Sequence, residues 1–240
     1  MCGRYSLILG QAEIEERFDA TFTEPFQPRY NAAPSQSLPV ITDANPAQVD
    51  SLEWGFVPPW AEDRSEFGYI NARGETLTEK PTFRDAVEAR ERDSLRTGRC
   101  LVLADGFYEW VEDGGKQPYR VTLADGRPFA LAGLWAQWRP PSTQTGLDSF
   151  GAGGTADGPE ILETFAIVTT EPNDLVADLH HRMAAIVPAD REREWLTADT
   201  PDALDLLGPY PGEMRADPVS QAVNDPSNDS PAVLEPAEGS

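Results

Sequence analysis

Cysteine and histidine are both scarce in this chain of 240 residues, which has two of each. Cys2 and Cys100 could form at most one bridge, so a disulfide framework is excluded and we expect two free thiols. His180 and His181 are adjacent, and neighbouring side chains rarely point at one metal ion. We therefore expect no structural metal site and no cofactor.

Lysine is almost absent. Lys80 and Lys116 are the only lysines, against 41 acidic residues and a net charge of −22. Because phosphate binding depends on basic side chains, this balance excludes a broad basic DNA-binding surface. Diffuse acidic charge with little lysine is typical of proteins from a high-salt cytoplasm, where it maintains solubility. The remaining question for nucleic acid binding is whether arginines gather at one site.

Long apolar runs are also missing, and none approaches the roughly 20 residues that a membrane span needs. The first residues show no basic stretch followed by an apolar segment, as a secretory signal would. With 40% hydrophobic and 25% charged residues, we expect a soluble cytoplasmic protein. No heptad or large apolar stripe indicates a partner, so we expect a monomer.

The hydrophobic pattern predicts a strand-rich centre. Strands are expected at 38–42, 52–57, 100–103, 107–111, 119–123, 129–135 and 165–169. Helices are expected at 11–20, 82–92, 171–179, 188–196 and 201–207, and residues 180–187 should lead into a further strand. Without a regular βαβ rhythm, the class is α+β: a single domain with an antiparallel, barrel-like core flanked by short helices.

Two segments have the composition of disordered chain. Residues 140–159 are rich in Gly, Ser, Thr and Asp, which indicates a surface insertion within the domain. Residues 225–240 form an acidic tail that contains Pro and Ser. The sequence therefore predicts one domain over 1–224, followed by a disordered tail.

Cys2 follows the initiator methionine, which is usually removed before a small residue. Its exposed α-amine (pKa about 7.7–8.0) and its thiol (about 8.5) would both be nucleophiles near neutral pH. Such a 1,2-aminothiol condenses with an aldehyde, first as a Schiff base and then as a thiazolidine ring. The alternative, from position alone, is a chance residue in a frayed terminus.

Other polar positions are also candidates for chemistry. Asn71 and Arg73 are two apart at a strand end and should project on one side, unless they belong to an ordinary loop before a helix. Glu109 lies between aromatic residues, which favours a raised pKa, unless it faces solvent on an edge strand. His180 titrates near neutral pH, although a structural histidine is the ordinary interpretation. Trp60, placed by two prolines, is a candidate wedge or stacking platform for bases.

Together these motifs resemble those of the SRAP family, the SOS-response-associated peptidases, whose members are abasic site processing proteins. The resemblance spans roughly residues 2–224. The motifs, in chain order, are Met1-Cys2-Gly3-Arg4-Tyr5, Tyr30-Asn31-Ala32-Ala33-Pro34, Trp54-Gly55-Phe56-Val57-Pro58, Ile70-Asn71-Ala72-Arg73-Gly74-Glu75-Thr76, Arg99-Cys100, Ala104-Asp105-Gly106-Phe107-Tyr108-Glu109-Trp110, Ala132-Gly133-Leu134-Trp135, His180-His181-Arg182-Met183, Val219-Ser220 and Val223-Asn224.

The resemblance implies a function. Members remove their own initiator methionine and form a thiazolidine with the aldehyde of abasic sites in single-stranded DNA, which shields the lesion. By similarity, Cys2 is the nucleophile, Asn71 holds the abasic sugar or the thiazolidine, and Glu109 with His180 transfers protons. Weak lyase activity is a plausible side reaction of the Schiff base.

The resemblance also implies DNA contacts. Arg73 and Arg4 would hold adjacent phosphates, while Asn31 and Pro34 would shape the floor of the pocket. Arg182 also lies inside a motif, so a small positive pocket could exist within the acidic surface. The chain departs from the family at Ala184, where a proline usually follows the Arg-Met pair.

Two alternatives differ in the chemistry they require. An N-terminal cysteine hydrolase that cuts amides or peptides needs an oxyanion hole, and a serine at position 2 would often retain some activity. A non-catalytic single-strand binder would tolerate the loss of Cys2. Nothing in the sequence identifies a partner that recruits the protein to replication forks.

Overall fold

The computed structural model describes residues 2–112, 116–140 and 161–237. Apart from Pro140, the insertion expected at 140–159 lies outside these residues. The α-helices are α1 (Gln11–Phe18), α2 (Pro81–Val87), α3 (Asp174–Ala177), α4 (Glu192–Thr197) and α5 (Thr200–Leu204). Short 3₁₀ helices span Arg64–Glu66, Gly74–Thr76, Ala189–Arg191, Gln221–Asn224 and Pro231–Leu234. The strands are β1 (Tyr5–Leu7), β2 (Thr21–Phe22), β3 (Arg29–Ala32), β4 (Ser37–Thr42), β5 (Gln48–Trp54), β6 (Asn71–Arg73), β7 (Glu91–Arg92), β8 (Leu95–Ala104), β9 (Gly106–Glu112), β10 (Lys116–Leu123), β11 (Phe129–Trp138), β12 (Leu162–Thr170), β13 (Met183–Ala184), β14 (Ile186–Val187) and β15 (Met214–Pro218).

Five strands close into a barrel. Strand β4 pairs with β5 and β8, β8 with β11, and β11 with β12, all antiparallel. A parallel pairing of β12 with β5 completes the ring, with Phe165 opposite Trp54. The predicted α+β class with a barrel-like core is therefore confirmed.

The barrel wall separates two hydrophobic clusters because side chains alternate along each strand. On β8, Cys100 and Val102 join an inner cluster that also contains Cys2. Leu101 and Leu103 join an outer cluster, which contains the buried hydrophobic residues of α1, α2 and α4. The helices thus cover the outside of the barrel, and the start of the chain packs with its interior.

A second sheet adjoins the barrel, with strand order β15-β10-β9-β1-β3. Its pairings are antiparallel throughout. Strands β8 and β9 are separated only by Asp105, so the chain passes directly from the barrel into this sheet. The Asp105 carboxylate is buried and accepts hydrogen bonds from Ser6 and Arg120, both at 2.7 Å. These contacts fix β1, and with it the residues just before it, against β9.

Several predicted elements end early. The helix expected at 82–92 stops at Val87, because Ala89 adopts a left-handed conformation with φ 50° and β7 follows. The helix expected at 171–179 is reduced to Asp174–Ala177, which begins where the Asn173 side chain accepts from the backbone N–H of Val176. The helices expected at 188–196 and 201–207 are also shorter, and the strand expected at 52–57 ends at Trp54.

The expectation of a disordered tail from residue 225 is wrong for residues 225–237. Val233 is fully buried in the 3₁₀ helix Pro231–Leu234, and Val219 forms a bridge with Pro236. The Asp229 carboxylate accepts from the backbone N–H groups of Tyr30 and Asn31 at 2.6 and 2.9 Å. Composition alone did not reveal these specific contacts. Of the helices in the described part of the chain, none is both long and apolar enough to cross a membrane.

Candidate active site

Cys2 lies three residues before the start of β1 and is fully buried. It packs with Tyr5 and Trp54, whose ring centroids are 5.3 Å apart. Its Sγ lies 3.8 Å from the backbone oxygen of Arg4. Burial, and then the nearby charge of Glu109, raise the pKa of the thiol to about 12. Cys2 is thus a fixed residue with a protonated thiol, and the alternative of a frayed terminus is wrong.

Asn71 connects the barrel to Cys2. Strand β6 pairs in parallel with β12, with Asn71 opposite Ile167. Its Nδ2 donates to the backbone oxygen of Cys2 at 2.9 Å. Its Oδ1 is buried and has no hydrogen-bond partner among the described residues. Ala72 is buried while Arg73 is exposed, as expected for Asn71 and Arg73 on one face of a strand.

Glu109 lies within β9, opposite Tyr119 of β10, and is only 3% exposed. Burial raises the pKa of its carboxyl to about 7, and the positive charge of the chain terminus acts in the opposite direction. A carboxyl group with this pKa can both accept and release a proton at neutral pH. Because its charge also raises the Cys2 pKa, Glu109 belongs to the same site.

His180 follows α3 in a loop that leads to β13. The backbone N–H of Arg182 donates to its Nδ1 at 3.0 Å. The backbone oxygen of Arg182 is also 3.0 Å from Nδ1 and would accept from it in the other tautomer, so Arg182 has a partner group for either neutral form of the ring. Burial lowers the His180 pKa, and the charges of the chain terminus and Arg182 lower it further. At neutral pH the ring is therefore neutral and able to exchange a proton. The ring of His181 lies 4.3 Å from that of His180, between centroids.

Arg73 and Arg182 lie near each other but differ in their contacts. Arg182 donates to both carboxylate oxygens of Glu75, at 2.6 and 2.9 Å, and to the backbone oxygen of Thr169 at 2.7 Å. Its side chain is only 11% exposed. Arg73 is exposed, and its charge contributes to lowering the Glu75 pKa. Of the two guanidinium groups, Arg73 is therefore the more accessible to a phosphate.

Arg4 and Asn31 connect the start of the chain to its C-terminal segment. The Arg4 guanidinium donates to Asn31 Oδ1 at 2.7 Å and to the backbone oxygen of Val223 at 2.8 Å. Asn31 is fully buried in β3, and its amide nitrogen lies within 3.0 Å of the carbonyl oxygens of Asp225 and Asn228. Both side chains make internal contacts, and their part in DNA binding stays a prediction.

Pro34 and Trp60 lie apart from this cluster of contacts. Pro34 is half-buried in the turn between β3 and β4, next to Ser35 with its φ of 67°. Trp60 is 37% exposed, and its ring packs edge-on against Phe67 with centroids 5.3 Å apart. The exposed ring is available to a base, as the Trp60 prediction requires. Nothing in the contacts of Pro34 defines a pocket floor.

Sequence reasoning missed three residues that hold this region together: Glu75, Thr169 and Asp229. Glu75 lies in the same motif as Asn71 and Arg73. Its position two residues after Arg73 was the one feature of the sequence that could have identified it. Thr169 and Asp229 gave none, because their contacts join residues far apart in the chain. Within the described ranges, no group of three or more His, Cys, Asp or Glu side chains could hold a metal ion.

Comparison with known proteins identifies the family. Residues 1–226 match SRAP, described as SOS response associated peptidase. The chain belongs to this family. Among its SRAP relatives, abasic site processing protein YoqW of Bacillus subtilis is 38% identical, and the alignment covers 98% of this chain and 99% of YoqW. YoaM of the same organism, also named an abasic site processing protein, is 40% identical with 98% of each chain covered. Abasic site processing protein HMCES of Gallus gallus is 29% identical over 99% of this chain and 78% of its own.

Solved structures show the same fold as this SRAP chain. A protein from Bacteroides thetaiotaomicron superposes with a TM-score of 0.80 at 24% identity, covering 98% of this chain and all of its own. A Bordetella bronchiseptica protein gives a TM-score of 0.73 at 26% identity, covering 91% of this chain and all of its own. The SRAP match ends at residue 226, whereas the packed C-terminal segment continues to residue 237.

Proposed function

We propose that this protein processes abasic sites in DNA by attaching Cys2 covalently to the lesion in single-stranded DNA. The names of its relatives support abasic-site processing. The single observation on which the covalent role rests is the hydrogen bond from Asn71 to the Cys2 carbonyl. It fixes the second residue of the chain beside a carboxyl group whose pKa is about 7.

Removal of Met1 prepares the nucleophile. Water adds to the carbonyl of the Met1–Cys2 peptide bond, methionine leaves, and Cys2 gains a free α-amine. Glu109 takes the proton from the attacking water and returns it to the departing amine. In this step the burial of Glu109 matters, because a carboxyl group with an ordinary pKa would be too weak a base at neutral pH.

The free amine then attacks the aldehyde carbon of the ring-opened abasic site. The resulting carbinolamine loses one water to give a Schiff base. The Cys2 sulfur adds to the imine carbon while its proton passes to the nitrogen, which closes the thiazolidine ring. Because burial keeps the thiol protonated, this closure needs a nearby proton acceptor, and Glu109 and His180 serve as the pair. Reversal follows the same path, and elimination of the 3′ phosphate from the Schiff base gives weak lyase activity.

DNA is held mainly by Arg73 on the phosphate next to the lesion, with Trp60 against a base. Arg4 and Arg182 add positive charge to the pocket while making the internal contacts described above. We place the protein in the cytoplasm, on the nucleoid when DNA is damaged, and acting as a monomer.

A denaturing gel tests the proposal. The purified protein is mixed with single-stranded DNA that contains one abasic site, beside undamaged DNA and the variants Cys2→Ala and Cys2→Ser. The proposal predicts a heat-stable shifted band that requires both Cys2 and the lesion and that the serine variant cannot form. An unshifted band from protein shown by mass spectrometry to lack Met1 would contradict it. Cleavage of an amide substrate that survives in Cys2→Ser would instead support the N-terminal hydrolase.

A further inference from the structure

A second histidine lies beside the site and has no role in the proposed chemistry. The ring of His181 packs on that of His180, with centroids 4.3 Å apart and an angle of 31° between the planes. His180 is half-buried, whereas His181 is exposed. The packing places an accessible imidazole directly against the ring that the proposed mechanism uses for proton transfer. An exposed hydrogen-bond donor in this position is a candidate contact for the DNA.

The fold also brings His181 near Arg73. Strand β12 lies between β6 and β13, and its Thr169 pairs with Arg73 on one side and with Ala184 on the other. His181 precedes β13 by two residues. Arg182, the next residue, donates to the backbone oxygen of Thr169 at 2.7 Å, which holds this loop against β12. An exposed guanidinium and an exposed imidazole therefore lie on either side of the same end of β12.

Positive charge acts on the His181 ring. Its pKa is lowered, first by the charge of His180 when protonated, then by a small loss of hydration, and then by the charges of the chain terminus, Arg182 and Arg73. The Glu75 carboxylate, which is bonded to Arg182, offsets one of these charges. His181 is therefore neutral at pH 7 in the free protein. In a chain of net charge −22, a local group of positive charges is where a phosphate would bind.

We propose that His181 binds the phosphate that Arg73 holds, taking up a proton as the strand arrives and donating a hydrogen bond from the resulting imidazolium. The inference rests on the proposed function. A phosphodiester has two non-bridging oxygens, so it can accept from a guanidinium and an imidazolium together. Its negative charge offsets that of Arg73 and favours the protonated ring. The proton comes from solvent, and no covalent bond of the DNA changes.

A contact of this kind gives the protein two properties. Because it involves the backbone of the DNA, it is independent of base identity, as a lesion sensor requires. Because binding takes up a proton, the affinity for DNA increases as the pH falls toward the pKa of the free ring. When the pH is well above the pKa of the ring in the complex, His181 stays neutral and this gain in affinity is lost.

Binding to a lesion analogue tests the inference. The single-stranded oligonucleotide carries a tetrahydrofuran residue in place of the abasic site, which has no aldehyde and cannot crosslink. Its Kd is measured by fluorescence anisotropy from about pH 5.5 to 8.5 at constant ionic strength for wild type, His181→Phe and His181→Arg. His181→Phe keeps a ring that can pack on His180 but cannot be protonated, whereas His181→Arg keeps a permanent positive charge.

At about pH 6, wild type should bind about tenfold more tightly than His181→Phe, and at about pH 8.5 the two should agree within about twofold. His181→Arg should match wild type at the lower pH and bind about tenfold more tightly than wild type at the higher pH. Glu109, His180 and the chain terminus also titrate in this range. All three proteins share these groups, so the ratios of Kd between proteins report on position 181.

Three results would overturn the inference, and one of them also removes the proposed function. If wild type forms no crosslink with an oligonucleotide that contains a true abasic site, the function fails and the inference fails with it. If wild type crosslinks but the ratios of Kd do not change with pH, the function stands and His181 does not bind phosphate. Slower crosslinking by His181→Phe with an unchanged Kd would mean that His181 only supports the His180 ring. If His181→Phe does not fold, the ratio of wild type to His181→Arg decides the question.

Discussion

The amide of Asn71 and the backbone carbonyl of Cys2 are joined by a hydrogen bond of 2.9 Å, which connects β6 at the barrel to the segment that leads into β1. The other end of the amide, Oδ1, is buried without a partner in the described part of the chain. A buried acceptor left unpaired is costly, so a ligand or a free amine that donates to it would be favoured. We expect that donor to be the free amine of Cys2 or a hydroxyl of the abasic sugar.

Replacing Asn71 separates these two contacts. Asn71→Ala removes both and should slow crosslinking about 100-fold, since misplacement of a nucleophile by an ångström has effects of this size. Asn71→Asp keeps an acceptor but loses the donor to Cys2, and it should be intermediate. Single-turnover rates at saturating DNA measure both. Equal rates for wild type and Asn71→Ala would show that Asn71 does not position Cys2.

Glu109 should make stability depend on pH in a definite direction. Its pKa is about 7 in the folded protein, against about 4.5 when unfolded. Between these values only the folded state holds the proton, so this group's contribution to stability falls as pH rises from about 4.5 to 7. Glu109→Gln removes the titration and should be more stable than wild type at pH 8 by up to about 3 kcal/mol relative to pH 4.5.

Denaturant unfolding of wild type and Glu109→Gln across pH 4.5–8 measures this difference directly. The contribution of the many surface carboxylates to the pH dependence cancels in this comparison, because both proteins share them. A difference in unfolding free energy that does not change with pH would mean that Glu109 titrates normally and has no special place in proton transfer.

Alanine substitutions at Arg73 and Arg182 should differ in their effects on DNA affinity and on the crosslinking rate. Arg73 is exposed, so Arg73→Ala should weaken affinity for single-stranded DNA and change the slope of log K against log salt by about 0.7–1. The Arg182 side chain donates to Glu75 and to the backbone oxygen of Thr169, which holds the loop that also carries His180, so Arg182→Ala should lower the saturating crosslinking rate with little change in that slope. Fluorescence anisotropy at several salt concentrations, paired with crosslinking rates, distinguishes them. The same slope change for both variants would contradict the assignment.

The acidic surface should produce an unusual response to salt. With a net charge of −22, the protein repels DNA at long range. Raising salt from about 0.1 to 1 M shortens the screening length from about 10 to 3 Å, which weakens this repulsion more than contacts inside the pocket. Crosslinking at limiting DNA concentration should rise several-fold over this range. A peptide with the sequence Cys-Gly-Arg, reacted with the same DNA, controls for the salt dependence of the chemistry; a falling protein rate would contradict the interpretation.

Asp229 should stabilise the fold through the C-terminal segment. Its carboxylate accepts from two backbone N–H groups and pairs with Arg29 Nε at 2.7 Å. Asp229→Ala should lower the free energy of unfolding by about 1–3 kcal/mol and expose the segment after residue 219 to proteolysis. Asp217→Ala, at a carboxylate 65% exposed, is the control and should change stability little. Equal free energies of unfolding for the two variants would show that the contacts of Asp229 do not stabilise the fold.

Short-range patterns in the sequence predicted much of this fold. Runs of apolar and aromatic residues identified the strands around Cys100 and Phe107, and the Asn71–Arg73 spacing identified a shared face that the structure shows. These patterns could not predict that β5 and β12 pair and close the barrel, because Trp54 and Phe165 are far apart in the sequence.

Short-range patterns also predicted only part of the site. The residues proposed for chemistry were found through their motifs, and the aromatic neighbours of Glu109 indicated the direction of its pKa shift, but the burial of Cys2 depends on packing that no local pattern encodes. The tail was judged by its acidic composition, whereas its order depends on individual contacts, above all those of Asp229 and Val233.

The most direct test of covalent attachment through Cys2 is mass spectrometry of the crosslinked peptide. After reaction with abasic single-stranded DNA, nuclease and trypsin digestion should release Cys2-Gly3-Arg4 without Met1, bearing the abasic remnant less one water. Its sulfur should resist iodoacetamide, because ring closure consumes the thiol. An adduct on Lys80 or Lys116, or an attached Cys2 whose thiol still alkylates, would contradict thiazolidine formation at Cys2.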